Sequence, residues 1–210
     1  ASGGHTELVY VLEPGDYEVW GQTRDDAAGE AFDKVAKMLG LLVEGESTMG
    51  GPRLSALAEA GDPTAFDFPR GLMDSEGFEF SFSGLKTSVL YHLKGRSRAE
   101  QEAERPDVAA SFQAAVVDVL VHKTMQAALA AKTEQVLLTG GVAANRRLRA
   151  QMERAGGKAG IEVFYPSPGL CTDNAAMIAY AGAFRLDRGE CSGLDLNADP
   201  DRASRDVQAL

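Results

Sequence analysis

From residue 107 onward the chain follows one order: a helical pattern over 107–132, strand formers over 135–139, a Gly140-Gly141 pair, a helical pattern over 145–155 and strand formers over 161–165. Two strands joined through one helix run parallel, because the helix carries the chain back to the edge where the first strand began. No other feature narrows the fold as much, since parallel strands are covered by helices. Upstream, 7–12 and 17–23 are rich in Val, Leu, Tyr and Trp and flank Glu13-Pro14-Gly15-Asp16, the signature of a β-hairpin. A hairpin added to a parallel pair predicts an α/β fold with a mixed sheet and helices on its faces. A last helix is expected to start near Asp173, after Pro166-Ser167-Pro168-Gly169.

Between these parts, Ala28, Phe32, Val35, Ala36 and Leu39 recur at helical spacing and predict a helix over 26–39. Asp25 or Asp26 is available as its N-cap, and Gly40 is placed to stop it. Glu30, Asp33 and Lys37 share the opposite face. The texture then changes: Gly50-Gly51-Pro52, Gly61-Asp62-Pro63 and Pro69-Arg70-Gly71 punctuate short helical pieces, and 96–105 is charged and expected to be exposed. The organisation expected is a main lobe of 1–43 and 107–186, a helical insertion over 44–106, and a polar tail over 187–210.

The 210 residues, 44% hydrophobic and 25% charged, suffice for one good core or two small ones. A formal net charge of −10 repels nucleic acid, so this piece by itself is a poor tRNA or DNA binder. Arg146, Arg147, Arg149 and Arg154 form the one local basic concentration, and on a helix they read as a solvated face. Cys171 and Cys191 are too few for a disulfide framework and fit a reducing compartment. No apolar run reaches bilayer length and no signal-peptide pattern is present, so no membrane and a cytoplasmic location are expected.

The chain opens on Ser2-Gly3-Gly4-His5-Thr6 with no strand in front of it, so it is expected to begin inside a site, with part of the machinery elsewhere. Glycines there let backbone amides approach a phosphate, although a double glycine by itself is also an ordinary turn. Gly140-Gly141-Val142-Ala143-Ala144-Asn145 lies where a strand ends and a helix begins, the place where open α/β sheets bind ligands. Asn145 could bond a ribose or base edge, or cap the helix. Asp173, in Cys171-Thr172-Asp173-Asn174, has the same two readings: an N-cap, or a carboxylate holding a cation. His5, His92 and His122 show no two-histidine ligand spacing, so any coordination set would be completed from outside this chain.

Taken in series, five motifs carry a resemblance: Ser2 to Thr6; Asp25-Asp26-Ala27-Ala28-Gly29-Glu30-Ala31-Phe32-Asp33-Lys34; Phe80-Ser81-Phe82-Ser83-Gly84-Leu85-Lys86-Thr87; Gly140 to Asn145; and Cys171-Thr172-Asp173-Asn174-Ala175-Ala176-Met177-Ile178-Ala179. Over residues 1–185 the chain resembles the TsaD family, formerly called Gcp or O-sialoglycoprotein endopeptidase. The resemblance implies an actin-like ATPase (ASKHA) fold of two ribonuclease H-like lobes, of which this chain looks like the second. It implies an acyltransferase that modifies tRNA. Members move the threonylcarbamoyl group of threonylcarbamoyl-AMP to the exocyclic N6 amine of the adenosine 3′ of the anticodon in tRNAs reading codons that begin with A.

Carried over by motif, Ala1, Ser2, Gly3, Gly4 and His5 line the substrate phosphate, Ala1 standing where many members have Val. Asp33 and Gly51 hold the sugar end of the adenylate, Asn145 the adenosine region, and Asp173 is a metal ligand. One divalent metal per subunit is implied, iron first and zinc second, completed by two histidines outside this chain. Where members have Tyr-Pro-Gly-Gly-Pro, this chain carries the longer Val43-Glu44-Gly45-Glu46-Ser47-Thr48-Met49-Gly50-Gly51-Pro52. No side chain here is an evident nucleophile or general base, so catalysis is assigned to positioning and electrostatics. The implied partners are TsaB and TsaE, a TsaC-type synthase supplying the adenylate, and tRNA; half a cleft is expected to be inactive by itself. Two other classes compete, an actin-like small-molecule or sugar kinase and a non-catalytic TsaB-like scaffold. Intact glycine-loop and Cys-Thr-Asp-Asn motifs argue against the scaffold.

Overall fold

The computed structural model describes residues 1–42 and 49–197. The expected boundary at 43–44 and the part of the tail beyond 197 lie outside the described residues. The hairpin forms as its composition dictates: β1 (Glu7–Glu13) pairs antiparallel with β2 (Asp16–Gln22) around the Pro14-Gly15 turn. α1 (Ala28–Met38) follows and buries Ala28, Ala31, Phe32, Val35 and Ala36, the face that the spacing marks out. Gly40, at φ +67°, ends it, with its N–H bonded to the Lys37 carbonyl and the Leu41 N–H bonded to that of Ala36.

Neither Asp25 nor Asp26 caps α1, contrary to expectation. The N-cap position is Ala27, and the hydroxyl of Thr6 reaches across to accept the Ala28 N–H at 2.9 Å. Thr6 is buried, and its carbonyl also accepts the Thr23 N–H, so one residue fixes the start of α1 against the hairpin. This frees the two aspartates for α3 (Ser83–Lys94). Asp25 accepts from the Phe82 and Ser83 amides at 2.8 and 3.1 Å and from the Ser81 and Ser83 hydroxyls at 2.5 and 2.7 Å. Asp26 is clamped between Lys34 and Lys86, each at 2.7 Å. The Phe80 to Thr87 motif, whose role is opaque in the sequence, is thus the partner of Asp25-Asp26, with Phe80 and Phe82 buried beneath the junction.

α2 (Gly50–Ala58) and α3 pack on α4 (Arg98–Ala131), the spine of the molecule. Sequence places the start of this helix at Asp107; it starts at Arg98 and runs through Pro106. A capping box between Ser97 and Glu100 nucleates the first turn, and Pro106 forfeits only the bond to the Glu102 carbonyl. Residues 108–117 of α4 are buried without a break. By length and composition α4 is apolar enough to cross a membrane, contrary to the reading of the sequence, but 56% of its most apolar window is buried within the protein. It is a core helix.

β3 (Gln135–Leu137) and β4 (Glu162–Phe164) pair in parallel across α5 (Arg146–Ala159), as the strand–helix–strand order requires. A short 3₁₀ turn, Gly141–Ala144, leads into α5, and another, Pro168–Leu170, precedes α6 (Ala175–Asp187), which has no buried residue. The single mixed sheet is not observed: among the described residues β1–β2 and β3–β4 are two separate pairs, because β1 and β3 share no ladder.

Burial pushes the Asp25 and Asp26 carboxyls up, but the hydrogen bonds from Ser81, Phe82 and Ser83 to Asp25, and from Lys34 and Lys86 to Asp26, outweigh it and hold both below the ordinary 3.8. A depressed carboxyl stabilises the fold above its unfolded value and loses that contribution as pH falls. Asp25→Ala in the full-length protein is therefore expected to cost about 1–3 kcal/mol at neutral pH in urea unfolding. The gap between wild type and Asp25→Asn should narrow as pH drops below 3.8.

Candidate functional site

Both glycine loops meet at one edge of the fold. The Ala1 nitrogen donates to the Thr139 carbonyl at 2.8 Å, and the Val142 N–H donates to the Ala1 carbonyl at 3.1 Å. Gly140 sits at φ +90°, and a Cβ there would lie 2.4 Å from the Ala1 oxygen, so the contact requires glycine twice over. The opening loop also lies on the N-terminus of α1. Gly29 N–H donates to the Ser2 carbonyl, and a Cβ at Gly29 would stand 2.6 Å from that oxygen.

The loop is closed on itself by Ser2 and His5. Ser2 N–H donates to the His5 carbonyl at 2.7 Å, and the His5 N–H donates to the Ser2 hydroxyl at 3.1 Å. Gly3, Gly4, His5 and Gly141 are exposed, and the Gly3 and Gly4 amides donate to no described residue. Side chains at Gly3, Gly4 or Gly141 would meet nothing within 4 Å, so the space outside the loops is open. Free amides beside open space are available to an anion.

Asp33 and Gly51, far apart in sequence, are in contact: Asp33 Oδ1 accepts the Gly50 and Gly51 amides at 2.7 and 3.0 Å and so caps α2 from α1. One turn further along α2, Ser55 receives a hydrogen bond from Asn145 Nδ2 at 2.9 Å. The same nitrogen donates to Gln113 of α4 at 2.7 Å, while Asn145 Oδ1 accepts the Leu148 N–H at 2.9 Å. Asn145 is thus a helix cap, the plainer of its two readings, and it fastens α2, α4 and α5 to the glycine loop. Hydrogen bonds thus link Ala1 through the second glycine loop to Asn145, and Asn145 through α2 to Gly51 and Asp33.

Asp173 is exposed, and it does not cap α6: Asn174 does, accepting the Met177 N–H at 3.0 Å. The Asp173 carboxylate makes no bond to any described residue. Its position depends on Arg149, which the sequence groups with the surface arginines. Arg149 turns inward, donating to the carbonyls of Ala143 at 2.5 Å and Pro166 at 3.1 Å, lying 3.2 Å from the sulfur of buried Cys171, and stacking on Tyr165 with its guanidinium 4.3 Å from the ring centre. It ties the loop that carries Asp173 to the loop that carries Gly140. Arg146, by contrast, is exposed and paired with Glu59, as a solvated face implies.

The resemblance implies a metal with Asp173 among its ligands. Among the described residues no group of three or more His, Cys, Asp or Glu could hold an ion. Asp173 offers one free carboxylate outside any such group, so the described residues do not hold a metal by themselves.

Comparison with known proteins follows the same motifs. The family model for TsaD, tRNA N6-adenosine threonylcarbamoyltransferase, matches residues 1–180. A protein of Moorella thermoacetica with that name is 50% identical over 200 residues, which are 95% of this chain and 57% of that protein. One of Geotalea uraniireducens, named alike, is 52% identical over 199 residues, 95% of this chain and 57% of the relative. The chain therefore spans somewhat more than half the length of the curated relatives it matches. Among solved structures, T. kodakarensis HypF aligns at TM-score 0.54 and 24% identity over 78% of this chain and 20% of that one. Full-length HypF in its phosphate- and nucleotide-bound form aligns at 0.56 and 19% over 79% and 21%. At these identities the likeness is one of fold, an α/β architecture.

Arg149→Lys keeps the charge but loses the planar fork. In a Cys191→Ser background it is expected to raise the rate at which Cys171 reacts with a thiol reagent about tenfold, the equivalent of roughly 1.4 kcal/mol of loop opening. An unchanged rate would mean that the loop is held by something other than Arg149.

Proposed function

The chain belongs to the TsaD family, tRNA N6-adenosine threonylcarbamoyltransferase, and on that footing we propose that its full-length protein transfers the threonylcarbamoyl group of threonylcarbamoyl-AMP to the N6 amine of the adenosine 3′ of the tRNA anticodon. The observation that carries this reading is the hydrogen-bonded series of motif residues: the Ala1–Gly140 contact joins the opening loop to the second glycine loop, and Asn145, Gly51 and Asp33 follow from it.

In this reading the amine nitrogen attacks the carbamoyl carbon, the bond from that carbon to the adenylate oxygen breaks, AMP departs and the amine releases a proton. The Gly3, Gly4 and Gly141 amides face the phosphate, where negative charge remains on the leaving group. Asp33 keeps its second carboxylate oxygen for a ribose hydroxyl, because the first is committed to Gly50 and Gly51. Asn145 acts by positioning the glycine loop, since its side-chain groups are taken up by Ser55, Gln113 and Leu148. Asp173 is the chain's contribution to one divalent metal, iron or zinc, whose other ligands lie outside residues 1–210. Such an ion, when bound, polarises a carbonyl or phosphoryl oxygen.

The wider context is proposed on the same basis. The architecture is the second ribonuclease H-like lobe of an actin-like pair, with the helical stretch between α1 and α4 as an insertion. The other wall of the cleft lies outside this chain, and α6, with Ile178 and Tyr180 exposed beside the Asp173 loop, offers a surface for it. TsaB, TsaE and a TsaC-type synthase are the partners, in the cytoplasm, and the net charge of −10 leaves tRNA contact to those parts.

Full-length protein with purified partners gives the test. Asp173→Ala is expected to lose bound metal and to lower transfer to tRNA at least about 100-fold, the effect of removing a group that holds the reacting charge, with an unchanged melting temperature. Transfer at the wild-type rate would make Asp173 ordinary surface and would sink the assignment.

A further inference from the structure

Thr6, Ser111, Gln113 and Lys123 are the polar side chains buried among the described residues, and a buried polar group is costly unless it is bonded. Ser111 donates to the Asp62 carbonyl and accepts the Phe66 N–H. The Lys123 ammonium donates to the carbonyls of Ser75 and Gly77 and to the Ser75 hydroxyl. Gln113 differs. It lies in the unbroken buried stretch of α4 at 7% exposure, between Phe112 and Ala114, and its Oε1 accepts from Asn145 at 2.7 Å. Its Nε2 has no acceptor among the described residues, so half of this side chain is explained by Asn145 and the two amide hydrogens are not.

The direction in which Gln113 presents its amide is fixed by its neighbours. The Leu148 N–H can only donate, so the Asn145 atom that meets it is the oxygen. Asn145 then turns its nitrogen to Ser55 and Gln113, and the Gln113 atom that receives it must be the oxygen. Nε2 is left as a pair of donors held in place before any ligand arrives, so an acceptor placed against it costs no side-chain ordering.

Its place in the fold is equally specific. Asn145 closes the second glycine loop, and Ser55 stands one turn along α2 from Gly51, so Gln113 joins the candidate site where these two meet. Both hydrogens of Asn145 Nδ2 are spent on Ser55 and Gln113, which leaves Asn145 no side-chain donor for a bound nucleoside. Gln113 is the adjoining group that still has one. A donor with no partner selects a ligand atom that accepts and carries no hydrogen, and the ring nitrogens of adenine are such atoms.

We propose that Gln113 reads the base of the bound adenylate, its Nε2 donating to a ring nitrogen of the adenine. The inference deepens the transfer reading and rests on it for the nucleotide. Asn145 sets the orientation, Gln113 makes the contact, and the glycine loops and Asp33 are left to the phosphate and the sugar.

Calorimetric binding of AMP, the leaving group, to the full-length protein tests it, together with AMP analogues in which carbon replaces one ring nitrogen at a time. Wild type is expected to bind one of these analogues about tenfold more weakly than AMP, the effect of one lost hydrogen bond. Gln113→Glu keeps an acceptor for Asn145 and puts an acceptor where the donor stood. It is expected to bind AMP about tenfold more weakly and to bind AMP and that analogue alike. Gln113→Met removes the donor without adding a charge and is expected to lose the same discrimination, which covers the case in which the carboxylate is not tolerated in the core. A side chain that only props Asn145 would leave the ratio of AMP to analogue affinity in Gln113→Glu at its wild-type value. That result, or a wild type that binds AMP and every analogue equally, overturns the proposal. A wild type that binds no AMP overturns it together with the transfer reading, whereas the expected binding pattern without transfer to tRNA removes the transfer reading and upholds Gln113.

Discussion

Burial of α4 is the constraint on which everything else depends. Ten consecutive buried residues cannot be hidden by one neighbour, and the unbroken burial of 108–117 requires cover on every side of the helix. α2, α3 and α5 and the core face of α1 supply it, with Phe32 set edge-on against Phe112 at a 5.3 Å ring separation. Toward its C-terminal end, Leu120, Thr124, Ala127 and Ala128 face the gap between the strand pairs.

Around that spine, polar side chains hold loops in place by capping elements that are not their own. Thr6 caps α1 from the strand side, Asp25 caps α3, and Asp33 caps α2. Each satisfies amides that a helix start leaves orphaned, and each fixes a distance between segments far apart in sequence. Arg149 does the same with carbonyls, drawing the Ala143 and Pro166 loops together. The candidate site is therefore open at its surface and rigid behind it, a suitable arrangement where catalysis rests on positioning.

Much of this was legible. The hairpin, the parallel pair and the first helix follow from strand-former runs, turn residues and 3.6-residue periodicity, all local properties. The grouping of Asp33 with Gly51 rests on motif resemblance, and the contacts bring them together, whereas the seating of Ala1 on the second glycine loop is seen only in the structure. Pro106 misled because proline is a helix breaker only when the lost bond is not outweighed by a strong cap and burial beyond it. Arg149 misled because its neighbours Arg146 and Arg147 are alike in sequence, while only the geometry of the Pro166 loop gives it carbonyls to bond.

Local pattern alone determined which segments are helix or strand, because that choice depends on periodicity, backbone freedom and hydrogen-bonding capacity within a few residues. The assignment of Asp25 to α3 instead of α1 and the inward turn of Arg149 were decided only by the tertiary structure. Each depends on which distant group lies within about 3 Å of a polar atom, and that distance exists only once the chain has closed around α4.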